Sequence, residues 1–123
     1  MKLNHINLVV PNVRETKVFF ERYFGFKCIV EKGADTFVGL RDEAGTTIAV
    51  NNFEKVESVE YPNMFHIGFF QNSRDSVDKI YGRFKADGFD VQAPHEEHGS
   101  YTFYLKSPGG FKVEVAHDEQ TYD

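Results

Sequence analysis

The 123-residue chain contains one cysteine and no tryptophan, and its apolar runs are only a few residues long. One cysteine cannot form an internal disulfide. Cys28, within the apolar segment FKCIVE, is interpreted as a small buried side chain rather than a nucleophile. The lack of a disulfide framework is typical of the cytoplasm, which is the predicted location. The short apolar runs predict no membrane span and no signal peptide.

Positive charge is also scarce, because 14 Lys and Arg stand against 19 Asp and Glu for a net charge of −5. Nucleic acid and anionic membrane surfaces are bound through basic patches, so neither is an expected partner. The chain has no GxSxG, Walker, CxxC or Rossmann glycine motif. The chemistry that these motifs support is therefore not indicated.

The hydrophobic residues, 41% of the chain with 13 phenylalanines, suffice for the packed core of one domain. In residues 1–51 the segment LNHINLVV alternates between apolar and polar residues, which predicts a strand. A helix follows, with Asn12 as its N-cap, Glu15 completing a capping box, and Gly25 as its stop. Three further strands are predicted at FKCIVE, DTFVGLR and TTIAVNN.

A polar linker, residues 52–63, separates this first module from a second one in residues 64–118. The strand MFHIGFF precedes a helix that has Ser73 as its N-cap and Gly88 as its stop. Three strands are again predicted after the helix, at FDVQA, SYTFYLK and FKVEVAH. The order of elements is therefore βαβββ in both modules.

Equivalent residues of the two modules lie at nearly constant separation. His5 and His66 are 61 residues apart, and Ala49 and Glu114 are 65 apart. Matches of this regularity, in the same order along the chain, indicate an internal duplication. We therefore predict a single α+β domain, residues 1–123, built from two tandem βαβββ modules.

The duplication places His5 and His66 at equivalent positions of equivalent strands, which a pseudo-twofold axis would bring together. His5 shares its strand face with Asn7, and this polar face is expected to line an accessible pocket. Glu114 lies between two valines and points away from the helix-packed face. Two imidazoles and a carboxylate bind Fe, Mn, Zn, Ni or Co and leave positions for substrate. Each residue alone is ordinary, but the repeat favours a site for one divalent metal ion.

The turn SPGGF predicts the register of the last two strands. Gly110 suits the left-handed position of a three-residue hairpin loop, which pairs Tyr104 with Glu114. Directly opposite residues share a face, so the Tyr104 hydroxyl is expected beside the carboxylate, as an orienting donor or a substrate contact. The same register pairs Gly39 with Ala49 in the first module and leaves a gap there for a substrate.

Two more histidines lie in the segment APHEEHGSY. Their spacing differs from that of HExxH, and the flanking Pro94 and Gly99 predict a loop rather than a metal site. His98 directly precedes the strand that carries Tyr104 and is a candidate general acid or base. No role is assigned to His95.

Together, NHINLVVPNVRETKVFFERYFGF, FHIGF and YLKSPGGFKVEVAH resemble the vicinal oxygen chelate superfamily of glyoxalases, bleomycin resistance proteins and extradiol dioxygenases. The resemblance covers residues 2–118. It implies a curved, mixed, largely antiparallel arrangement of eight strands around a divalent metal ion, often completed by dimerisation. A homodimer is accordingly expected.

The resemblance also implies roles for single residues. His5 and His66 match the first-strand metal ligands of the two modules, and Glu114 matches the last-strand carboxylate. Glyoxalase I enzymes carry a fourth ligand where this chain has Ala49. The remaining set of three looks more like those of fosfomycin-modifying enzymes or dioxygenases.

Tyr104 and Thr102 match a tyrosine and a hydroxyl residue in the pocket of the fosfomycin enzymes. Pro94 and His98, in contrast, stand where those enzymes have polar and basic residues for a phosphonate. An acidic chain with few cations near its site is not expected to bind a phosphonate.

Two hypotheses follow from these features. In the first, the chain is a metal-dependent enzyme that acts on a small oxygen-chelating substrate, by lyase, isomerase, dioxygenase or thiol-transferase chemistry. In the second, it is a metal-free protein of the bleomycin-resistance type that binds a small aromatic compound or drug.

Overall fold

A computed structural model describes residues 1–119, and the last four residues of the predicted domain lie outside the described part. The described part has the element order βαβββ–βαβββ, which confirms the α+β class and the duplication. It divides into two compact units. The first comprises residues 1–61 with 107–110, and the second comprises residues 62–106 with the chain from 111 onward.

The first unit is a four-stranded mixed sheet with one helix. Its elements are β1 (His5–Val9), α1 (Val13–Phe24), β2 (Lys27–Lys32), β3 (Phe37–Arg41) and β4 (Thr47–Asn51). The strand order is β1-β4-β3-β2. The first strand pairs with β4 in parallel, and the other two pairs are antiparallel.

The second unit repeats this plan. Its elements are β5 (His66–Phe70), α2 (Arg74–Ala86), β6 (His95–Glu97), β7 (Ser100–Lys106) and β8 (Lys112–Asp118). The strand order is β5-β8-β7-β6, again with one parallel pair, β5 with β8. No helix in residues 1–119 is long and apolar enough to cross a membrane.

In each unit the alternate residues of the strands divide between a core face and an open face. The core face packs against the helix of the same unit, and a fully buried apolar side chain there contributes about 1.5–3 kcal/mol. The buried strand residues include Leu8, Val38, Leu40, Ile48 and Val50 in the first unit and Phe103, Leu105, Val113 and Val115 in the second. The open face therefore carries the residues that remain available for chemistry.

The helix ends follow the predicted residues but not always the predicted contacts. Asn12 is the N-cap of α1, yet its side chain makes no capping bond and donates instead to Glu15 at 2.7 Å. The predicted capping box is therefore wrong. In the same turn the Arg14 backbone N–H donates to Asp35 Oδ1 at 2.7 Å. Gly25 ends the helix in the left-handed region, as predicted.

The predicted strand FDVQA is wrong, since residues 89–94 form no strand. Its apolar alternation has another cause. Phe89 stacks edge-on against Phe84 of α2, and Val91 is buried, so the segment packs against the core without joining the ladder. Pro94, which lacks a backbone N–H, then separates it from β6.

The edge strand lies instead within APHEEHGSY, which was predicted to be a loop. His98 and Gly99 both have positive φ, 52° and 79°, so they form a two-residue turn between β6 and β7. The turn pairs Glu97 with Ser100 and His95 with Thr102. The loop prediction is therefore wrong for residues 95–97.

The linker after β4 is held by side-chain hydrogen bonds of Asn52 and Tyr61. Asn52 Nδ2 donates to the Pro11 and Val56 carbonyls at 3.2 and 3.0 Å, and its Oδ1 accepts from the Val56 N–H at 2.8 Å. Farther along, the Tyr61 hydroxyl donates to the Val9 carbonyl at 2.6 Å. A segment that is polar and patternless in sequence thus has fixed hydrogen-bond partners.

Replacing Asn52 should destabilise this arrangement. We expect Asn52→Ala to lower the free energy of unfolding by about 1–3 kcal/mol, because it leaves half-buried backbone groups without partners. Urea denaturation followed by circular dichroism measures the change. Asn72→Ala, at an exposed position, is the matched control. Equal losses in the two variants would contradict the anchoring role.

Candidate active site

The carboxylate of Glu114 is the centre of the open face in the second unit. The predicted register is confirmed, because Glu114 lies opposite Tyr104 on one side and Gly68 on the other. The Thr102 hydroxyl is 2.8 Å from Glu114 Oε2, and Tyr104 also hydrogen-bonds to this carboxylate. Only 16% of the Glu114 side chain is exposed. The two hydroxyls therefore fix its orientation.

His66 completes the cluster. Its Nδ1 is 3.0 Å from the Met64 carbonyl, which can only accept, so Nδ1 carries the hydrogen. In the neutral ring Nε2 then presents a lone pair, and Nε2 lies 3.5 Å from Glu114 Oε1. The ring also packs edge-on against Tyr104, with centroids 5.6 Å apart.

This pair of atoms fits a shared cation. A hydrogen bond between charged groups would be shorter, about 2.7–2.9 Å. A metal with bonds of about 2.1 Å to nitrogen and oxygen would hold those atoms about 3.0–3.4 Å apart at usual coordination angles. The observed 3.5 Å is close to that range. A backbone carbonyl that fixes the imidazole tautomer is also typical of metal-binding histidines.

The Tyr104 phenol is held in its protonated form. Loss of solvent raises its pKa first, and the hydrogen bond and negative charge of Glu114 raise it further, to about 12. The negative charge of Glu97 acts in the same direction. At neutral pH Tyr104 is therefore a hydrogen-bond donor and not a phenolate.

A cavity of about 270 Å³ opens beside this cluster. It is lined by Asn63, Met64, His66, Gln92, His95, Glu97, Tyr104 and Lys112. His95, to which the sequence assigned no role, contributes its ring, with Nε2 2.9 Å from Glu97 Oε2. The sequence feature that could have predicted this position is the His98-Gly99 turn, which brings His95 opposite Thr102. Lys112 contradicts the expectation of few cations near the site.

His98 itself does not line this cavity. It lies at the tip of the β6–β7 turn with 88% of its side chain exposed, and its Nε2 is 3.5 Å from Glu97 Oε1. Its role as an acid or base stays a prediction.

The remaining candidates share the open face of the first unit. His5 is exposed and its Nδ1 is 2.9 Å from Asn4 Oδ1, an acceptor, so its Nε2 also presents a lone pair when neutral. Asn7 accepts a hydrogen bond from Asn51 Nδ2 at 2.7 Å. Asn7 lies opposite Ala49 in the parallel ladder.

The predicted gap at Gly39 is filled. Gly39 lies opposite Ala49, as predicted, but on its other side it lies opposite Val30. A side chain at Gly39 would meet Val30 Cγ1 at 2.7 Å. The bulge between Cys28 and Val30 brings this methyl group over the glycine. A substrate on this face would touch Val30, which sequence reasoning missed. Cys28 is half-buried rather than buried.

The structure therefore brings together His66, Thr102, Tyr104 and Glu114 in one unit, and His5, Asn7, Gly39 and Ala49 on one sheet face of the other. Within residues 1–119, no three His, Cys, Asp or Glu side chains lie close enough to hold one metal ion. Of the three residues predicted as ligands, His66 and Glu114 lie close together in one unit.

Comparison with known proteins finds one similar curated protein and several similar solved structures. Among curated proteins, the 2,2',3-trihydroxybiphenyl dioxygenase of Sphingomonas paucimobilis is 25% identical over 119 residues, 92% of this chain and 40% of that protein. The chain thus spans less than half the length of this relative. A solved structure of a possible glyoxalase from Bacillus cereus is 42% identical, covers 94% of this chain and 97% of its own, and has a TM-score of 0.84.

A second solved structure is of a mutant fosfomycin resistance protein, FosX, from Listeria monocytogenes, in complex with Mn(II) and 1S,2S-dihydroxypropylphosphonic acid. It is 23% identical, covers 98% of this chain and 93% of its own, and has a TM-score of 0.77, a likeness of fold alone. The sequence model of one superfamily matches residues 2–115. The chain therefore belongs to the Glyoxalase/Bleomycin resistance protein/Dioxygenase superfamily.

Proposed function

We propose that the chain is a divalent-metal-dependent enzyme that acts on a small substrate with two neighbouring oxygen atoms. The observation that carries the proposal is the pair of His66 Nε2 and Glu114 Oε1, which lie 3.5 Å apart. Each of the two side chains is also hydrogen-bonded through its other polar atom. Met64 fixes the imidazole, and Thr102 holds the other carboxylate oxygen. Such preset ligand atoms are typical of metal centres.

The similar proteins support this class without naming the reaction. The FosX structure contains Mn(II) and a diol, and the Sphingomonas relative is a dioxygenase. These activities differ from each other, so the substrate is not transferred from either. What they share is a small oxygen-bearing ligand, which is the class proposed here.

The chain's own residues have separate tasks in this proposal. His66, Glu114 and His5 would hold one divalent ion, which would supply Lewis-acid polarisation of a bound oxygen. Tyr104 donates a hydrogen bond, because its raised pKa keeps the phenol protonated at neutral pH. Thr102 holds Oε2 and leaves Oε1 for the ion.

The third ligand, His5, is assigned to a second copy in a homodimer. No set of three candidate ligands occurs within residues 1–119 of one chain, whereas His5 is exposed with Nε2 available. In a symmetric dimer each chain would give His5 to its partner and receive one in return.

A metal-free binding protein is the second candidate. It is favoured by the aromatic pair Phe37 and Phe53, whose rings stack with centroids 5.7 Å apart although Phe53 is 58% exposed. A stacked ring with this much exposed surface suits contact with an aromatic ligand. Metal analysis separates the two candidates.

Purified protein should bind close to one equivalent of Mn, Fe, Co, Ni or Zn per chain. His66→Ala removes a ligand and should abolish binding, as measured by plasma emission spectrometry after dialysis. His117→Ala, on the opposite face of β8 from Glu114, is the control and should retain the metal. Less than about a tenth of an equivalent in wild-type protein, with none gained on adding these ions, would refute the proposal.

Mixing variants tests the shared site. His5→Ala and His66→Ala chains should each bind no metal alone. Subunit exchange in a 1:1 mixture should restore about a quarter of the wild-type metal, because half the dimers are mixed and each mixed dimer has one intact site. No recovery, with exchange verified by native mass spectrometry, would place all the ligands in one chain.

The Tyr104 pKa gives an independent readout. Glu114→Gln removes the negative charge that stabilises the protonated phenol, so the pKa should fall from about 12 toward the ordinary 10. Burial still raises it, so the fall should be incomplete. Tyrosine 13Cζ NMR measures the shift, with Tyr104→Phe to assign the signal. An unchanged pKa would show that Glu114 does not control this phenol.

A further inference from the structure

We propose that the substrate of this site carries an anionic group, a carboxylate, phosphonate or phosphate, which binds Lys112 beside His66. The inference rests on the proposed function and adds the class of substrate. The observation behind it is a cross-strand row of side chains on the open face of the second unit. In that row His66, Lys112 and Lys106 are consecutive neighbours.

The two lysines form a like-charged cross-strand pair. They lie directly opposite each other on β7 and β8, where like charges destabilise a ladder. Within residues 1–119 neither has a carboxylate partner, and Lys112 Nζ donates only to the neutral Asn63 Oδ1, at 3.3 Å. In a chain with 19 acidic residues, a lysine that lines a cavity and has no acidic partner within residues 1–119 indicates a place for an anion from outside.

The carboxylates nearest the cavity already have other partners. Glu97 Oε2 lies 2.9 Å from His95 Nε2. Glu114 accepts from Thr102 and faces His66. Neither forms an ion pair with Lys112, which lines the cavity.

The first module offers a comparison within the same chain. The equivalent pair there is Arg41 and Thr47, and Arg41 Nε donates to the Thr47 hydroxyl at 3.2 Å. On its other side Arg41 lies opposite Lys27, so opposite cations occur in both modules. Lys112 differs in that it lies opposite the candidate ligand His66 and lines the cavity, which connects it with the site.

The distance between Lys112 and Glu114 sets where two parts of the substrate would bind. Lys112 and Glu114 are two residues apart on one face of β8, about 7 Å along the strand. The anionic group would lie at Lys112, while the neighbouring oxygens reach toward His66 and Glu114. A cavity of about 270 Å³ admits a small molecule of this kind.

The first experiment titrates inorganic phosphate into the metal-free full-length protein and follows 1H–15N NMR spectra at constant ionic strength. Saturable shifts are expected at Lys112, His66 and Tyr104. In Lys112→Gln the dissociation constant should weaken by about fivefold or more, because a charge-assisted contact is lost. Lys79→Gln, which removes an exposed lysine of α2 in the same unit, should bind as the wild type does.

The second experiment uses the metal-loaded protein and calorimetry. It compares 3,4-dihydroxybutyrate with its neutral amide, which has the same vicinal oxygens. The acid should bind about tenfold more tightly, and Lys112→Gln should remove this preference. Lys79→Gln should keep it.

Two results would overturn the inference: phosphate shifts that persist unchanged in Lys112→Gln, or no preference for the acid over the amide. The proposed function fails in a different way. Lys112-dependent phosphate binding by a chain that takes up no metal would support the anion subsite and refute the metal-dependent enzyme.

Discussion

The register of the β7–β8 hairpin is the constraint on which the candidate site depends. Gly110 closes the turn at φ +96° and donates to the Ser107 carbonyl at 3.1 Å, and a side chain at this glycine would approach the Val59 carbonyl oxygen to 3.2 Å. The turn thereby sets Tyr104 opposite Glu114. Slippage by one residue would move every side chain of one strand to the other face, and the carboxylate would enter the apolar core.

The duplicated scaffold separates stability from chemistry. Both units bury the same alternate strand positions against one helix, so either open face can change without loss of the core. The first unit has small residues on that face, Gly39 and Ala49, with Val30 over the glycine. The second has Tyr104 and Glu114 at the equivalent positions. Divergence on one face explains how a repeat gives two unlike surfaces.

Sequence reasoning predicted those features that depend on local periodicity. Alternation and turn chemistry were enough for the two modules and for the pairing of Tyr104 with Glu114. They failed at FDVQA, where apolar alternation serves packing of Phe89 on Phe84 rather than a ladder. Contacts distant in sequence, such as Asp35 with Arg14, leave no local pattern. The position of His95 was missed because His98-Gly99 is a rare sequence for a two-residue turn.

Charge balance links metal binding to substrate affinity. Two carboxylates, Glu97 and Glu114, and two ammonium groups, Lys112 and its cross-strand neighbour Lys106, lie in or beside the cavity. Their formal charges balance, so an anion can bind at Lys112 in the metal-free protein. A divalent ion would make the site net positive and would attract an anionic substrate more strongly. Metal would thus strengthen substrate binding, although the anion subsite does not depend on it.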